Sequence, residues 1–245
     1  QGNDNIGNYL YIDTFTLSNN EGTPAITDGV KGNKTITWET NTNFNAGVDF
    51  EFLRARVTGT IEYFYRKTTD LLFWFTVPAS LGYSGYYDNI GDMRNSGIEF
   101  STNVNIINNN LLNWNAYFNF THYTNKVTML PAEHKTKTVQ GYSGYANGST
   151  FLAEGLPLHT FYMYKYAGVD HKTGEPLWYK DVTAADGSVT RETTSKYAEA
   201  TKYLCGDPTP KLYGGFGTSV DFMGFDLSVA FTYSIGGLVY DSGYA

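Results

Sequence analysis

The feature that most constrains the fold is the alternation of apolar and polar residues along much of the stretch 41–123. In the segment 41–52, the apolar residues fall on one parity: Phe44, Ala46, Val48, Phe50 and Phe52. A period of two is typical of a β-strand with one apolar and one polar face. Segments of about ten residues are longer than the usual strand of a soluble protein, and they are long enough to cross a bilayer at a tilt. The pattern therefore predicts transmembrane β-strands.

The composition agrees with that prediction and excludes other classes. Aromatic residues make up 17% of the 245 residues, as expected of a barrel with aromatic girdles at both membrane interfaces. Charged residues also make up 17%, below the roughly 25% of ordinary soluble domains. No apolar run reaches the roughly 18 residues of a membrane helix. The net charge of −7 argues against a nucleic acid as partner.

Eight strands are predicted, and they are 9–17, 41–52, 56–68, 97–107, 112–123, 158–168, 211–222 and 225–235. Short turns at 53–55, 108–110 and 223–224 alternate with long loops at about 18–40, 70–96, 124–157 and 169–210. This alternation is typical of outer-membrane barrels, whose short turns are periplasmic and whose long loops are extracellular. The strand 158–168 carries apolar residues on both parities, so its orientation is left open.

The polar parity of these strands is rich in Gly, Ser and Asn, which are too small to fill the narrow lumen of a closed eight-stranded barrel. An open sheet edge cannot persist in lipid, because its backbone groups would lack hydrogen-bond partners. We therefore expect residues 1–245 to form a single all-β segment of a larger antiparallel barrel, completed by strands outside this sequence.

A series of short segments points to one family. They are Gly2–Ile6, Thr37–Glu39, Asn45–Phe50, Tyr63–Leu72, Asn89–Glu99, Tyr164–Asp170, Thr173–Trp178, Pro208–Lys211, Tyr213–Phe216 and Ile235–Gly237. In content and order, these segments resemble the SusC/RagA family of TonB-dependent outer-membrane transporters. Each segment alone is moderately specific, and the resemblance covers nearly the whole chain.

The resemblance implies a barrel of about 22 strands, of which this chain is a C-terminal portion without the N-terminal plug or the final strands. It implies energy-coupled import of oligosaccharides, or of peptides, across the outer membrane of a Gram-negative bacterium. The implied partners are outer-membrane lipid, a SusD-like surface lipoprotein that acts as a lid, and the TonB complex, which would act through the missing N-terminal part.

The long loops supply the candidate binding residues. The sequence Gly-Tyr-Ser-Gly-Tyr occurs at 82–86 and again at 141–145, and it lacks the spacing of a nucleophile elbow. Aromatic rings can stack on sugar rings, and Tyr and Trp are also favoured at protein interfaces. The candidates for contact with substrate or lid are Tyr83, Tyr86, Tyr87, Tyr142, Tyr145, Trp178 and Tyr179. The alternative is that the repeated motif is only flexible loop sequence.

No catalytic residue, metal site or cofactor is predicted, and the chain is not expected to be an enzyme. The four histidines show no metal-ligand spacing. Two other functions stay open at this point. One is a soluble, aromatic-rich carbohydrate-binding β-domain, and the other is a passive porin or adhesin barrel.

Overall fold

The computed structural model describes residues 9–241, and this part of the chain is all-β. The predicted motif Gly2–Ile6 lies outside the described residues. The helices within 9–241 are three single 3₁₀ turns, Ala79–Leu81, Ala132–His134 and Tyr197–Glu199. No helix in this part of the chain is long and apolar enough to span a membrane.

The strands fall into long strands and many short ones. In chain order they are β1 (Phe15–Asn20), β2 (Thr23–Asp28), β3 (Thr40–Phe52), β4 (Val57–Thr69), β5 (Leu72–Thr76), β6 (Gly85–Asn89), β7 (Asp92–Asn108), β8 (Leu112–Met129), β9 (Lys137–Val139), β10 (Tyr142–Asn147), β11 (Thr150–Ala153), β12 (Thr160–Tyr164), β13 (Tyr166–Val169), β14 (Pro176–Thr183), β15 (Val189–Thr194), β16 (Lys202–Gly206), β17 (Leu212–Phe222) and β18 (Phe225–Ile235).

Six long strands form one antiparallel sheet, which we call the wall, in the order β18-β17-β8-β7-β4-β3. Each adjacent pair is in register over at least ten residues, and the part of β8 from His122 to Met129 extends beyond its pairing with β17. The wall confirms six of the eight predicted strands. The strands β7 and β8 are longer than predicted, with 17 and 18 residues.

The alternation within each strand becomes a continuous apolar face across the wall. One row of directly opposed residues runs from Val48 through Ile61 and Phe100 to Phe120. Further along the wall, Phe216 is opposite Phe231. This face is uncovered, with Val48, Leu227 and Phe44 exposed by 65%, 65% and 58%. The prediction that apolar side chains share one face is confirmed.

The opposite face of the wall is largely polar. Residues Thr60, Ser101 and Asn119 lie in one row on adjacent strands. The Thr60 hydroxyl donates a 2.7 Å hydrogen bond to Asp49 on β3. We call the two sides of the wall the apolar face and the polar face.

Short turns join the wall strands at one end. Strands β17 and β18 meet in a two-residue turn at Met223 and Gly224, whose φ angles are 50° and 85°. Positive φ at both central residues is the geometry of the hairpin turns that match strand twist, and glycine adopts it without steric cost. The turn after β3 passes through Leu53, Arg54 and Ala55, all three of which have positive φ.

The predicted strand 9–17 is wrong. Residues 9–12 form a turn and a bend, and β1 starts only at Phe15. Strand β1 pairs with β2 in a separate two-stranded sheet and does not join the wall. The turn at Glu21 and Gly22 explains the pairing, because the Asn19 side chain accepts a 2.7 Å hydrogen bond from the Gly22 amide and closes a local hairpin.

The predicted strand 158–168 is also wrong as a single strand. It is divided at Lys165 into β12 and β13, which belong to different sheets. The apolar residues on both parities reflect packing within the loop region, where buried Tyr162 lies against Phe151. The predicted loops 124–157 and 169–210 therefore belong largely to one long connection between β8 and β17. We call this connection, residues 130–211, the excursion.

That excursion folds into two sheets of its own. One has the order β16-β12-β11-β10-β9, and the other has the order β13-β14-β15. A fully buried Phe151 anchors the larger sheet. Glu154 ties the excursion to the end of β8 by accepting the Leu130 amide and the Lys135 ammonium, each at 2.9 Å. The Leu130 amide, followed by Lys135, holds the pKa of the Glu154 carboxyl below its ordinary value.

Candidate functional site

The polar face of the wall carries a recess close to the end from which the long loops leave. Its volume is about 570 Å³. The lining residues are Asn43, Asn45, Glu62, Phe64, Tyr65, Arg66, Asn95, Glu99, Tyr123 and Tyr213. This combination of aromatic rings, amides and charged groups is typical of a ligand-binding surface.

The register of the wall explains how the recess forms. Phe64, Gly97 and Tyr123 lie in one row on β4, β7 and β8. The Phe64 ring and the Tyr123 side chain lie against this glycine, whose missing side chain makes room for them. A Cβ atom at Gly97 would lie 2.7 Å from the Phe64 ring and 2.6 Å from the Tyr123 Cβ. The Tyr123 ring also meets Tyr213 edge-on, with centroids 6.3 Å apart.

Two carboxylates lie in the next row of the recess, further from the loops than the row of Phe64, Gly97 and Tyr123. Glu62 on β4 is directly opposite Glu99 on β7. Like charges in this position destabilise a strand pair. Among the described residues, no cation lies within ion-pair distance of either carboxylate. The nearby Arg66 instead donates a 2.9 Å hydrogen bond to Asn43. The recess thus offers two unpaired acceptors to hydroxyl, amide or cationic groups.

The alternation of the strands does not predict this recess, although the sequence carries a signal for its aromatic side. Phe64 breaks the alternation of its strand, because Tyr63, Phe64 and Tyr65 are three consecutive aromatic residues. Tyr117 likewise occupies a polar parity in β8. The neighbouring strands that bring Phe64 together with Tyr123 and Tyr213 cannot be identified from such local signals.

Two of the seven predicted loop aromatics pack inside the loop region. Tyr86 stacks on buried Phe75 with centroids 5.7 Å apart, and Tyr145 meets the same ring edge-on at 5.0 Å. The Tyr145 hydroxyl also donates to the Thr76 carbonyl at 3.2 Å. Burial is the main cause that raises the pKa of the Tyr86 hydroxyl. Both tyrosines therefore pack against Phe75, and their predicted contact with substrate or lid stays a prediction.

His134 completes this cluster. Its ring stacks on Phe75 with centroids 4.1 Å apart, and it is only 6% exposed. Its Nε2 atom lies 3.4 Å from the Asp88 carboxylate without forming a well-aligned hydrogen bond. Asp88 also accepts a 2.8 Å hydrogen bond from Asn33. The cluster joins the β5-β6 hairpin to the long excursion.

Three other predicted aromatics lie apart from one another. Tyr83 borders a small recess of about 230 Å³ beside Lys31. Tyr87 meets Trp74 edge-on with centroids 5.0 Å apart. Tyr142 is 39% exposed at the start of β10. Of these three, Tyr142 has an exposed ring available to a partner.

The last two candidates are neighbours on β14. Trp178 meets the Tyr197 ring edge-on, with centroids 5.2 Å apart. The Arg191 guanidinium lies 5.8 Å from the centre of the Tyr179 ring. The structure therefore distributes the seven predicted residues over several places instead of bringing them into one site.

A second depression, of about 730 Å³, separates the two sheets of the excursion. The Lys137 and Lys202 ammonium groups lie 5.1 and 5.5 Å from the centre of the Tyr162 ring. On the opposite side, the hydroxyl of buried Tyr203 donates to Asp181, which also accepts a 3.1 Å hydrogen bond from Arg191. Burial is the main cause that raises the pKa of Tyr203, with Asp181 acting in the same direction.

The comparisons with known proteins agree with this architecture. Residues 1–240 match the family described as "TonB dependent receptor-like, beta-barrel". Among curated proteins, the TonB-dependent receptor P3 of Formosa agariphila is 29% identical over 84% of this chain. The TonB-dependent receptor SusC of Bacteroides thetaiotaomicron is 26% identical over 98% of it.

Solved structures are also similar. The RagAB peptide importer in its closed-closed state matches 96% of this chain with 30% identity and a TM-score of 0.76. A structure of the RagAB peptide transporter matches 96% of it with 31% identity and the same TM-score of 0.76. This chain covers 21% and 24% of the two curated relatives, and 26% and 25% of the two solved chains. It thus spans about a quarter of the proteins it matches.

Proposed function

Because this chain belongs to the TonB-dependent receptor-like β-barrel family, we propose that it forms part of the wall of an outer-membrane importer of large nutrients. The family membership sets aside the soluble carbohydrate-binding domain and the passive porin or adhesin as alternatives. The substrate, the partners and the transport activity of the whole protein belong to this proposal.

The observation that carries the proposal is the two-sided wall. Its apolar face is continuous and uncovered, which suits contact with the hydrocarbon chains of a membrane. Its polar face suits a lumen filled with water, a plug or substrate. The aromatic residues Phe52 and Phe225 lie beside the short turns, whereas Tyr63 and Tyr233 lie towards the loops. These positions agree with two interfacial belts.

The residues of the recess are suited to binding an organic substrate with many hydrogen-bonding groups. The Tyr123 and Tyr213 rings offer apolar surface, and Glu62 and Glu99 offer acceptors beside it. Oligosaccharides combine apolar sugar faces with hydroxyl donors, and peptides combine amide donors with apolar side chains. We propose an oligosaccharide substrate first and a peptide as the alternative. RagAB, to which this chain is similar in structure, is a peptide transporter.

The proposed partners are a SusD-like lipoprotein at the loop end and the TonB complex on the opposite side of the membrane. The predicted contacts of the loop aromatics with substrate or lid stay predictions. Tyr142 is the better candidate, since its ring is exposed whereas Tyr86 and Tyr145 pack against Phe75.

Uptake by the intact protein in cells tests the proposal. We expect Tyr123→Ala to lower the apparent affinity for the imported substrate about two- to twelvefold, because one aromatic contact is lost. Glu62→Gln should also weaken uptake, because a strong acceptor becomes a weaker one. Asn103→Ala is the matched control, since Asn103 lies on the same polar face outside the recess. If Tyr123→Ala and the control transport alike, the recess is not on the substrate path.

A further inference from the structure

Three cations lie side by side on the outer surface of the wall. Lys67 on β4 is directly opposite Arg94 on β7, and Arg94 is directly opposite Lys126 on β8. We call these three residues the basic row. Like charges in directly opposed positions destabilise a sheet, so three in succession call for a compensating anion.

The basic row belongs to the apolar face and not to the lumen. Lys67 has the same parity as Tyr63 and Tyr65, and successive residues of a strand point to opposite faces. On β8, Lys126 likewise shares the parity of His122. The row is therefore continuous with the face that the proposed function places against lipid.

The basic row lies at the depth in the membrane that is expected of the lipid headgroups. The row of Tyr63, Ile98 and His122 is followed towards the loops by the row of Tyr65, Ser96 and Thr124, and then by the basic row. Each step of two residues advances about 7 Å along a strand, or roughly 5 Å along the normal at the usual barrel tilt. The cations thus lie just beyond the aromatic belt, where the polar headgroup layer follows the hydrocarbon.

The positive charge of the row is only partly balanced. The Asp92 carboxylate lies 2.9 Å from the Lys67 ammonium. For Arg94 and Lys126, both exposed, no carboxylate among the described residues lies within ion-pair distance. Two cations are left facing outward at the level of the headgroups.

We propose that the basic row binds the phosphate groups of lipids in the leaflet on the loop side of the membrane. An arginine guanidinium donates two parallel hydrogen bonds to phosphate, and the flanking lysines add positive charge. The acyl chains of the same lipid would lie on the apolar surface around Ile98 and Phe100. The inference rests on the membrane placement in the proposed function and adds a specific lipid site to it.

The test is lipid binding by the intact protein in detergent, measured by native mass spectrometry. The probes are lipid A with two phosphates, the same lipid after removal of both phosphates, and inorganic phosphate alone. We expect the wild type to prefer the phosphorylated lipid. Arg94→Gln combined with Lys126→Gln should weaken that binding about thirtyfold, because each cation near a charged headgroup contributes about fivefold.

Two further variants act as controls. Arg94→Lys keeps the charge and should retain most of the binding. Arg56→Gln removes an exposed cation in the short turn between β3 and β4, at the opposite end of the wall, and should leave lipid binding unchanged. Folding of every variant is checked first by the heat-dependent shift in electrophoretic mobility that closed barrels show.

Three results would overturn the lipid site. They are equal binding of the phosphorylated lipid by the wild type and the double variant, equal binding of the two lipid forms by the wild type, and displacement of the lipid by inorganic phosphate at a similar concentration. Failure of the wild type to fold as a membrane barrel would instead contradict the proposed function. The two failures are therefore distinguishable.

Discussion

At the scale of the residue, some glycines of the wall are places where an aromatic ring from the next strand lies over the backbone. Gly217 on β17 is opposite Tyr117 on β8, and a Cβ atom at Gly217 would lie 2.6 Å from the Tyr117 ring and 2.6 Å from the Val229 carbonyl oxygen. From the sequence alone, a glycine within a strand is expected to weaken that strand. It loses more conformational entropy on folding than other residues, and it has no side chain that could pack against a neighbour. Here the cross-strand ring supplies the packing that the glycine lacks.

We expect Gly217→Ala to destabilise the barrel by about 1–3 kcal/mol, because the methyl group would displace the Tyr117 ring and the backbone. The matched control is Gly47→Ala on the same polar face, where the new Cβ would have its nearest contact at 3.4 Å. Urea unfolding of the intact protein in lipid vesicles measures both. Equal midpoints for the two variants would contradict the packing argument.

At the scale of the element, a wall strand separates two environments from one residue to the next. On β7, Asn103 is opposite Thr58 and Tyr117 on the polar face, and Val104 is opposite Val57 and Ala116 on the apolar face. A register slip of one residue would exchange the two faces. The pairing is interrupted near each end of β7, next to Asp92 and at Ile106, which leaves the regular part of the strand between these bulges.

The adjacent pair Phe100 and Ser101 on β7, one on each face and two rows inward from Phe52, gives a test of this assignment. Phe100→Arg should destabilise the inserted barrel by up to about 2–4 kcal/mol, because it places a charge against lipid. Ser101→Arg should change stability much less, since its side chain faces the polar side. Both free energies of unfolding are measured in vesicles. A penalty of the same size for both variants would show that the faces are assigned wrongly.

At the scale of the whole molecule, the described wall is an open sheet. Within residues 9–241, β3 and β18 each pair with a wall strand on one side only. The unpaired backbone groups of such edges would be costly in hydrocarbon, since no water is available there to satisfy them. The wall must therefore pair with further strands before it can remain in a membrane.

We expect the isolated 245-residue chain, refolded in detergent or vesicles, not to form a monomeric barrel. Its electrophoretic mobility should not change on heating, and its β-structure should appear only with association through the free edges. The intact protein is the control and should show the mobility shift. A heat-sensitive monomer formed by the isolated chain would mean that these strands can close by themselves.

The six wall strands and their two faces could be predicted from the sequence, because alternation is a local property that appears in each strand separately. The family was recognised from short sequence segments, and neither these segments nor the alternation show which residues become neighbours. Only the tertiary structure places Phe64 near Tyr123, packs Tyr86 and Tyr145 against Phe75, and divides 158–168 between two sheets. The same is true of the basic row, since the relative register of β4, β7 and β8 depends on hydrogen bonds between strands far apart in sequence. A period of two determines the side to which a residue points, and the pairing of strands determines what it meets there.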